Sequence, residues 1–95
     1  MLKIPPKPKH SLLETVKVNN PINGAKVKGE IVGVYVGDWV PSYIVGLSQD
    51  SPFRERSYGE CRSLFLGRSG YEFPEEGVVS NDTPIWVFWE TELKS

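Results

Sequence analysis

Apolar and polar residues alternate along much of this chain, and the alternation predicts β-strands. Residues 12–18, 25–36, 39–47 and 85–93 place apolar side chains at every second position over part of their length, as expected of strands with a buried face. Nowhere do apolar residues recur at helical spacing over ten positions. The segment 60–66 is short enough to be a strand or a helix, and we expect a strand.

The second of these segments changes phase half-way along. Its apolar positions pass from odd to even numbers: Val27 and Ile31, then Val32, Val34 and Val36. Such a shift requires a bulge or a sharp coil, and Gly29 and Gly33 are the positions where it can occur. Gly37 and Asp38 then predict a two-residue hairpin turn into the return strand. We expect Trp39 and Tyr43 to share one face of that return strand.

The last segment, residues 85–93, carries aromatic side chains on both faces. Its odd positions are apolar almost to the end, so we expect the odd side to face the core. Its even positions are Trp86 and Phe88, followed by Glu90 and Glu92. Two covers are possible for this aromatic pair: the irregular segment 48–84, which has aromatic residues of its own, or another protein chain.

These elements predict an all-β fold, a small five-stranded barrel that is closed or half-open. Residues 12–95 would form this single domain, with 48–84 as a long, largely irregular insertion. Residues 1–11, rich in proline and lysine, predict an extended N-terminal arm.

The order of strand and turn signals resembles the SH3-like barrel series. The matching segments are "VKV" (16–18), "KVKGEIVGVYV" (26–36), "YIVGL" (43–47) and "VFWETELK" (87–94). In this respect the chain is similar to small barrel subunits of photosynthetic and redox complexes, such as the PsaE-type subunit of photosystem I and the variable chain of ferredoxin–thioredoxin reductase. The resemblance implies a fold, and it transfers no partner-contact residue. The segment 48–84 departs from those compact barrels.

Length and cysteine content place the chain in a broad class. Ninety-five residues make one domain. One cysteine excludes an intramolecular disulfide, so a reducing compartment is expected. The first ten residues lack the apolar run of a signal peptide, and no apolar run is long enough to span a membrane. We therefore expect a cytoplasmic protein.

Few residues offer catalytic or metal-binding chemistry. His10 and Cys61 are the only histidine and cysteine, and two such ligands cannot complete a zinc site. We expect Cys61 to be a packing residue and His10 a solvated residue of a mobile arm. The carboxylate pairs Glu75–Glu76 and Glu90–Glu92 are typical of a solvated surface. The sequence thus predicts neither metal, cofactor nor enzymatic activity.

The leading functional hypothesis is a non-catalytic interaction module or small accessory subunit that binds a protein partner. The predicted partner-binding residues form an aromatic–acidic set: Trp86, Phe88, Glu90, Glu92, Trp39 and Tyr43. An apolar patch with an acidic rim favours a partner with a basic rim. In a variant of this hypothesis, the "IPPKP" segment (4–8) of the arm lies over Trp86 and Phe88, within one chain or across a dimer.

The alternative is a nucleic-acid-binding barrel that uses lysines beside stacking aromatics. The lysines concerned lie in the first third of the chain: Lys3, Lys7, Lys9, Lys26 and Lys28. Trp39 and Tyr43 would supply the stacking rings. The formal net charge of −1 weighs against this alternative, because nucleic-acid-binding domains are usually basic.

Overall fold

The structure, a computed structural model, describes residues 7–37, 39–51 and 55–93. Within these ranges the chain forms one antiparallel sheet with a short helix. The strands are β1 (Thr15–Asn19), β2 (Lys26–Tyr35), β3 (Ser42–Gly46), β4 (Arg56–Ser57), β5 (Tyr71–Glu72) and β6 (Pro84–Trp89); helix α1 spans Tyr58–Phe65, and a 3₁₀ turn spans Glu90–Glu92. The strand order is β1-β2-β3-β6-β4, and β5 pairs with β2.

The mostly β fold predicted from the alternation is confirmed, but closure into a barrel is not. Strands β1 and β4 stand at the two ends of the sheet order, and among the described residues they do not pair with each other. The sheet therefore stays open, and the five-stranded SH3-like barrel is not confirmed. No helix in the described ranges is long and apolar enough to cross a membrane.

Strand β2 contains the change of phase that its sequence predicts. Its pairing with β3 shifts register between Ile31 and Gly33, so the odd-numbered Ile31 and the even-numbered Val34 pack on the same face of the sheet. Gly29 permits close packing in the same strand, because a Cβ there would clash with Cγ1 of Val45. The predicted bulge is thus confirmed.

The hairpin before β3 is longer than a two-residue turn. Trp39 lies ahead of the strand and is 74% exposed, so the prediction that it shares a strand face with Tyr43 is wrong. Pro41 explains the late start of β3, because proline has no N–H to donate to the ladder. Its carbonyl instead accepts the N–H of Glu90 at 2.9 Å. Asp38, the predicted turn residue, lies outside the described residues.

The segment 60–66 lies largely in helix α1, so its assignment to a strand is wrong. The helix begins after Ser57, whose Oγ accepts the N–H of Glu60 at 3.4 Å. The Ser57 hydroxyl also donates to Oε1 of Glu60 at 3.1 Å. A Ser-x-x-Glu spacing of this kind is a helix-capping signal. The helix has eight residues, too few to appear as helical periodicity over ten positions.

Strand β6 faces opposite to the prediction over most of its length. Its pairing with β3 sets Phe88 opposite Tyr43, and Phe88 is buried in the core at 4% exposure. Val87 and Trp89 are 40% and 50% exposed on the other side. Only at Ile85 does the odd side of this strand lie fully in a core, because the layer that covers that side does not extend over Val87 and Trp89.

Two apolar clusters pack on opposite faces of the sheet. The main cluster fills one face with Val16, Val18, Ile31, Val34, Tyr43, Val45, Leu47, Phe88 and Leu93. The helix-side cluster lies between the sheet and α1 and contains Val32, Ile44, Tyr58, Cys61, Val79 and Ile85. The second face is covered because α1 and the loop that carries Val79 fold onto it.

Cys61 is a packing residue of the helix-side cluster, as its sequence context predicts. It is 2% exposed, and burial raises the pKa of its thiol to about 11. Since the thiolate is the reactive form, we expect maleimide to label the folded protein at least ~100-fold more slowly than the unfolded chain at pH 7.5. Labelling kinetics with and without concentrated guanidinium measure this ratio, and equal rates in the two conditions would contradict the prediction.

Candidate functional site

The aromatic pair Trp86 and Phe88 lies against the protein's own core. Phe88 belongs to the main cluster, and the partly buried Trp86 packs against that cluster. The described members of the cluster lie in residues 12–47 and 86–93, with none from 48–84. The Phe88 ring is therefore buried in the core and is not part of an open docking patch. The cover of Trp86 by segment 48–84 or by another protein chain stays a prediction, and residues 52–54 of that segment lie outside the described residues.

The other predicted partner-binding residues lie at one end of the sheet in different environments. Trp39 is exposed in the hairpin, and Tyr43 is fully buried. Glu90 is half-buried. Glu92 is exposed, and its Oε1 accepts the N–H of Trp89 at 2.8 Å. Trp39 and Glu92 are thus the members of the predicted set that lie fully at the surface.

Hydrogen bonds join the N-terminal arm to the end of β6. The hydroxyl of Tyr43 donates to Oε2 of Glu90 at 2.6 Å, and the N–H of Lys9 donates to the same oxygen at 2.9 Å. The N–H of His10 donates to the Tyr43 hydroxyl at 3.2 Å. Nδ1 of His10 in turn lies 2.5 Å from Oε2 of Glu14. We call these five residues the clasp.

The clasp fixes the described part of the arm. His10 is half-buried, and its ring meets the Tyr43 ring edge-on with centroids 5.2 Å apart, so the prediction of a solvated histidine is wrong. Leu13 follows with a φ of 70°, which is unfavourable for a branched side chain. The predicted contact of 4–8 with Trp86 and Phe88 depends on residues 4–6, which lie outside the described residues.

The clasp shifts the pKa values of its phenol and its carboxylates in opposite directions. Burial, aided by the hydrogen bond to Glu90, raises the pKa of Tyr43 to about 12. Burial alone would raise the pKa of Glu90, but hydrogen bonds from the Tyr43 hydroxyl and the Lys9 N–H outweigh it and lower that pKa. The hydrogen bond with His10, together with one from the N–H of Ser11, lowers the pKa of Glu14.

We expect the free energy of unfolding to fall at alkaline pH. The raised pKa of Tyr43 stabilises the fold below the ordinary value of 10.0, and this contribution is lost as the pH rises towards about 12, at up to about 1.4 kcal/mol per pH unit. The stabilising contribution of the raised pKa of the Cys61 thiol is lost at lower pH, between pH 9.0 and about pH 11. Urea unfolding from pH 8 to 12 measures the decline. The free energy of unfolding of Tyr43→Phe should fall less steeply above pH 10 than that of the wild-type protein. Equal slopes for the two proteins would show that ionisation of Tyr43 does not cause the decline.

The lysines predicted to bind nucleic acid are divided between the arm and the sheet. The described ones are all exposed: Lys7, Lys9, Lys26 and Lys28. Lys28 lies opposite Lys17 across β1 and β2, so two like charges face each other. Lys3 lies outside the described residues. The Tyr43 ring is buried and cannot stack on a base, so that part of the alternative is wrong.

A row of aromatic side chains that the sequence analysis did not identify crosses the helix-side face of the sheet. Tyr71 of β5 pairs with Tyr35 of β2. Tyr35 and Trp89 pair with Ser42 from opposite sides. Directly opposed residues in neighbouring strands bring their side chains together, and the small Ser42 leaves a depression between larger neighbours. We call these four residues, together with the exposed Val87 on the same side of β6 as Trp89, the aromatic row.

A cavity of about 120 Å³ lies beside the aromatic row, between the sheet and α1. The ring of Phe65 stacks on that of Tyr71 at 4.7 Å, and the Tyr71 ring lies 4.6 Å from that of Tyr35. These three rings form one wall of the cavity. Val87 of β6 lines the cavity from the other side of β3. The remaining lining residues are Ser42, Ile44, Glu55, Arg56, Cys61 and Ile85.

Two acidic residues lie beside β6, Glu55 near Ile85 and Glu92 near Trp89. The N–H of Glu55 donates to the carbonyl of Ile85 at 2.9 Å, and Glu92 accepts from Trp89. Ile85 and Trp89 are about 13 Å apart along an extended strand. Arg56 lies beside the cavity with its guanidinium 4.0 Å from Glu55.

The carboxylate pairs of the sequence do not converge on a reaction centre. Glu90 binds Tyr43 within the clasp, whereas Glu92 binds the backbone of Trp89. Glu75 and Glu76 are exposed in the loop before β6. Among the described residues, no group of three or more His, Cys, Asp or Glu side chains could hold a metal ion.

Comparison with known proteins adds no template for this site. No protein-family model, curated protein or solved structure matches the chain. The functional assignment therefore rests on the geometry of the aromatic row, the cavity and their charged surroundings.

Proposed function

We propose that this chain is a non-catalytic protein-interaction module that binds a protein partner through the aromatic row. One observation carries the proposal: Val87 and Trp89 are 40% and 50% exposed on strand β6, beside an apolar cavity. Adjacent exposed apolar side chains are typical of interaction sites, and tryptophan is enriched among the residues that dominate binding energy.

The shape of the site favours a protein over a small molecule. Pockets for small ligands commonly enclose about 300–1,000 Å³, whereas the apolar cavity here measures about 120 Å³. The row itself crosses four strands, a width of about 14 Å at ordinary strand spacing. A broad face with one small depression is suited to a surface of another protein.

The surrounding charges favour a partner with basic groups. Glu55 and Glu92 are both exposed beside β6, one at each end of its Val87–Trp89 surface. Complementary charges at such a rim increase the association rate and help to exclude wrong partners. The sequence-based hypothesis of a basic partner is kept, with the contact surface moved from Trp86 and Phe88 to the opposite side of β6.

Affinity capture from the protein's own cells, followed by affinity measurement with the captured partner, tests the proposal. Trp89→Ala and Val87→Ser are each expected to weaken binding at least about tenfold. Ile22→Ala is the matched control, because Ile22 is 73% exposed in the turn between β1 and β2. Undiminished binding by both row variants would refute the proposal, as would loss of binding in the control alone.

Nucleic-acid binding is the second candidate, and the cross-strand pair of Lys17 and Lys28 favours it. Like charges opposed across two strands are unfavourable by themselves, and polyanion binding would relieve their repulsion. Affinity for a single-stranded oligonucleotide should then fall steeply with salt and be lost in Lys28→Glu. Absence of binding at low salt would eliminate this candidate. The kinship with SH3-like barrels stays a prediction, and neither candidate depends on it.

A further inference from the structure

We infer that the cavity beside the aromatic row is an anchor site for one branched aliphatic side chain of the partner, with a basic residue two positions away on each side. This inference rests on the proposed function and specifies the partner segment that the aromatic row would bind. It is carried by the size of the cavity, the chemistry of its walls and the positions of the two acids along β6.

The size of the cavity fits one aliphatic side chain. Its volume is about 120 Å³, and an apolar cavity of about 150 Å³ is large enough to hold benzene. An isobutyl group has four carbons where benzene has six, so a leucine side chain is a suitable occupant. Filling the cavity would restore dispersion contacts that its lining atoms otherwise lack.

The walls of the cavity favour an apolar group. Three aromatic rings form one side, and Ile44, Ile85 and Val87 complete much of the remaining surface. The Cys61 thiol stays neutral at physiological pH, because burial raises its pKa to about 11. Glu55 and Arg56 are the charged members of the lining, and Glu55 is itself exposed to solvent.

The positions of the two acidic residues along β6 define the flanking residues. Glu55 lies beside Ile85 and Glu92 beside Trp89, which are about 13 Å apart along the strand. An extended segment shows residues i, i+2 and i+4 on one side and spans the same distance. A segment aligned with β6 would thus bring basic residues to both acids and an aliphatic residue to Val87. The exposed contact between Arg56 and Glu55 is weak at 4.0 Å and leaves Glu55 able to accept from a new donor.

The test is an NMR titration of the full chain with the peptide acetyl-Thr-Lys-Ser-Leu-Ser-Lys-Thr-amide. Methyl resonances of Ile44, Ile85 and Val87 are expected to shift. A peptide with alanine in place of leucine should bind about 10- to 30-fold more weakly, as burial of one aliphatic side chain predicts. A peptide with glutamates in place of both lysines should also bind more weakly. Equal affinity for the leucine and alanine peptides would overturn the inference.

A cavity-filling substitution supplies an independent test. Cys61→Leu extends a side chain into the cavity and should weaken peptide binding at least about tenfold, whereas Ile22→Ala, outside the cavity lining, should retain it. If Cys61→Leu does not fold, the affinities of the wild-type protein for the leucine and alanine peptides decide whether the cavity is an anchor site. If Trp89→Ala weakens partner binding but Cys61→Leu does not, the anchor site is overturned and the interaction function remains. If neither substitution weakens partner binding, both proposals are overturned. The same methyl resonances could instead shift when the protein alone is concentrated, without peptide. That result would show that a second copy of the chain occupies the cavity and would also overturn the inference.

Discussion

Phe88→Ala is expected to lower the free energy of unfolding by about 3–5 kcal/mol, the usual cost of truncating a phenylalanine in a packed core. Phe88 is 4% exposed within the main cluster, and its removal would leave a cavity opposite Tyr43. Single domains are typically stable by only about 5–15 kcal/mol. The variant should therefore be partly unfolded at moderately raised temperature.

The neighbouring position gives a matched control. Trp89→Ala removes a larger side chain from the same strand, but Trp89 is 50% exposed on the other face. We expect its free energy of unfolding to fall by less than about 1 kcal/mol, within the ordinary range of surface substitutions. Urea unfolding monitored by circular dichroism measures both variants. A greater loss for Trp89→Ala than for Phe88→Ala would show that the face assignment of β6 is wrong.

The facing of β6 illustrates what alternation alone can determine. The pattern correctly places an extended strand near the end of the chain, but both faces of that strand begin with apolar side chains. When neither face is polar, periodicity cannot determine which face is inside. Pairing with β3 decides it by setting Phe88 opposite Tyr43. This partnership joins residues 45 positions apart and has no local signal.

Other elements differ in how much of their signal is local. The bulge in β2 could be predicted because two glycines coincide with a visible change of parity. Helix α1 could have been found from Ser57 and Glu60, whose spacing is a capping signal, although its eight residues are too few for periodicity. The two-residue strand β5 has no comparable signal, because its pairing is fixed by the fold around it.

The candidate site could be predicted only in its chemical character. The last strand does carry aromatic residues beside acidic ones, as the sequence-based hypothesis requires. The exposed ring on this strand is, however, that of Trp89 and not that of Phe88. The aromatic row joins residues from four strands, and no single segment contains its pattern. The sequence predicts both Tyr43 and Glu90 as partner-binding residues, and the structure brings them together in the clasp rather than on a docking surface.

Glu90→Ala is expected to release the N-terminal arm and to lower the free energy of unfolding by about 2–3 kcal/mol. The carboxylate accepts from both the Tyr43 hydroxyl and the Lys9 N–H, and hydrogen bonds to a charged acceptor are stronger than neutral ones. Tyr43 is fully buried, so loss of this acceptor would leave its hydroxyl poorly satisfied. Hydrogen exchange should become faster at the N–H groups of Lys9 and His10.

Glu92→Ala is the matched control for this experiment, since Glu92 lies in the same 3₁₀ turn but binds the exposed end of β6 instead of the arm. We expect it to leave exchange in the arm unchanged. The double variant Tyr43→Phe/Glu90→Ala should lose less free energy of unfolding than the sum of the two single variants. Either substitution alone already breaks the hydrogen bond between Tyr43 and Glu90, so the second cannot break it again. Strict additivity, or arm exchange unaffected by Glu90→Ala, would show that the clasp does not hold the arm in solution. Faster exchange in the arm without any change at Val87 would show that the clasp and the aromatic row act independently.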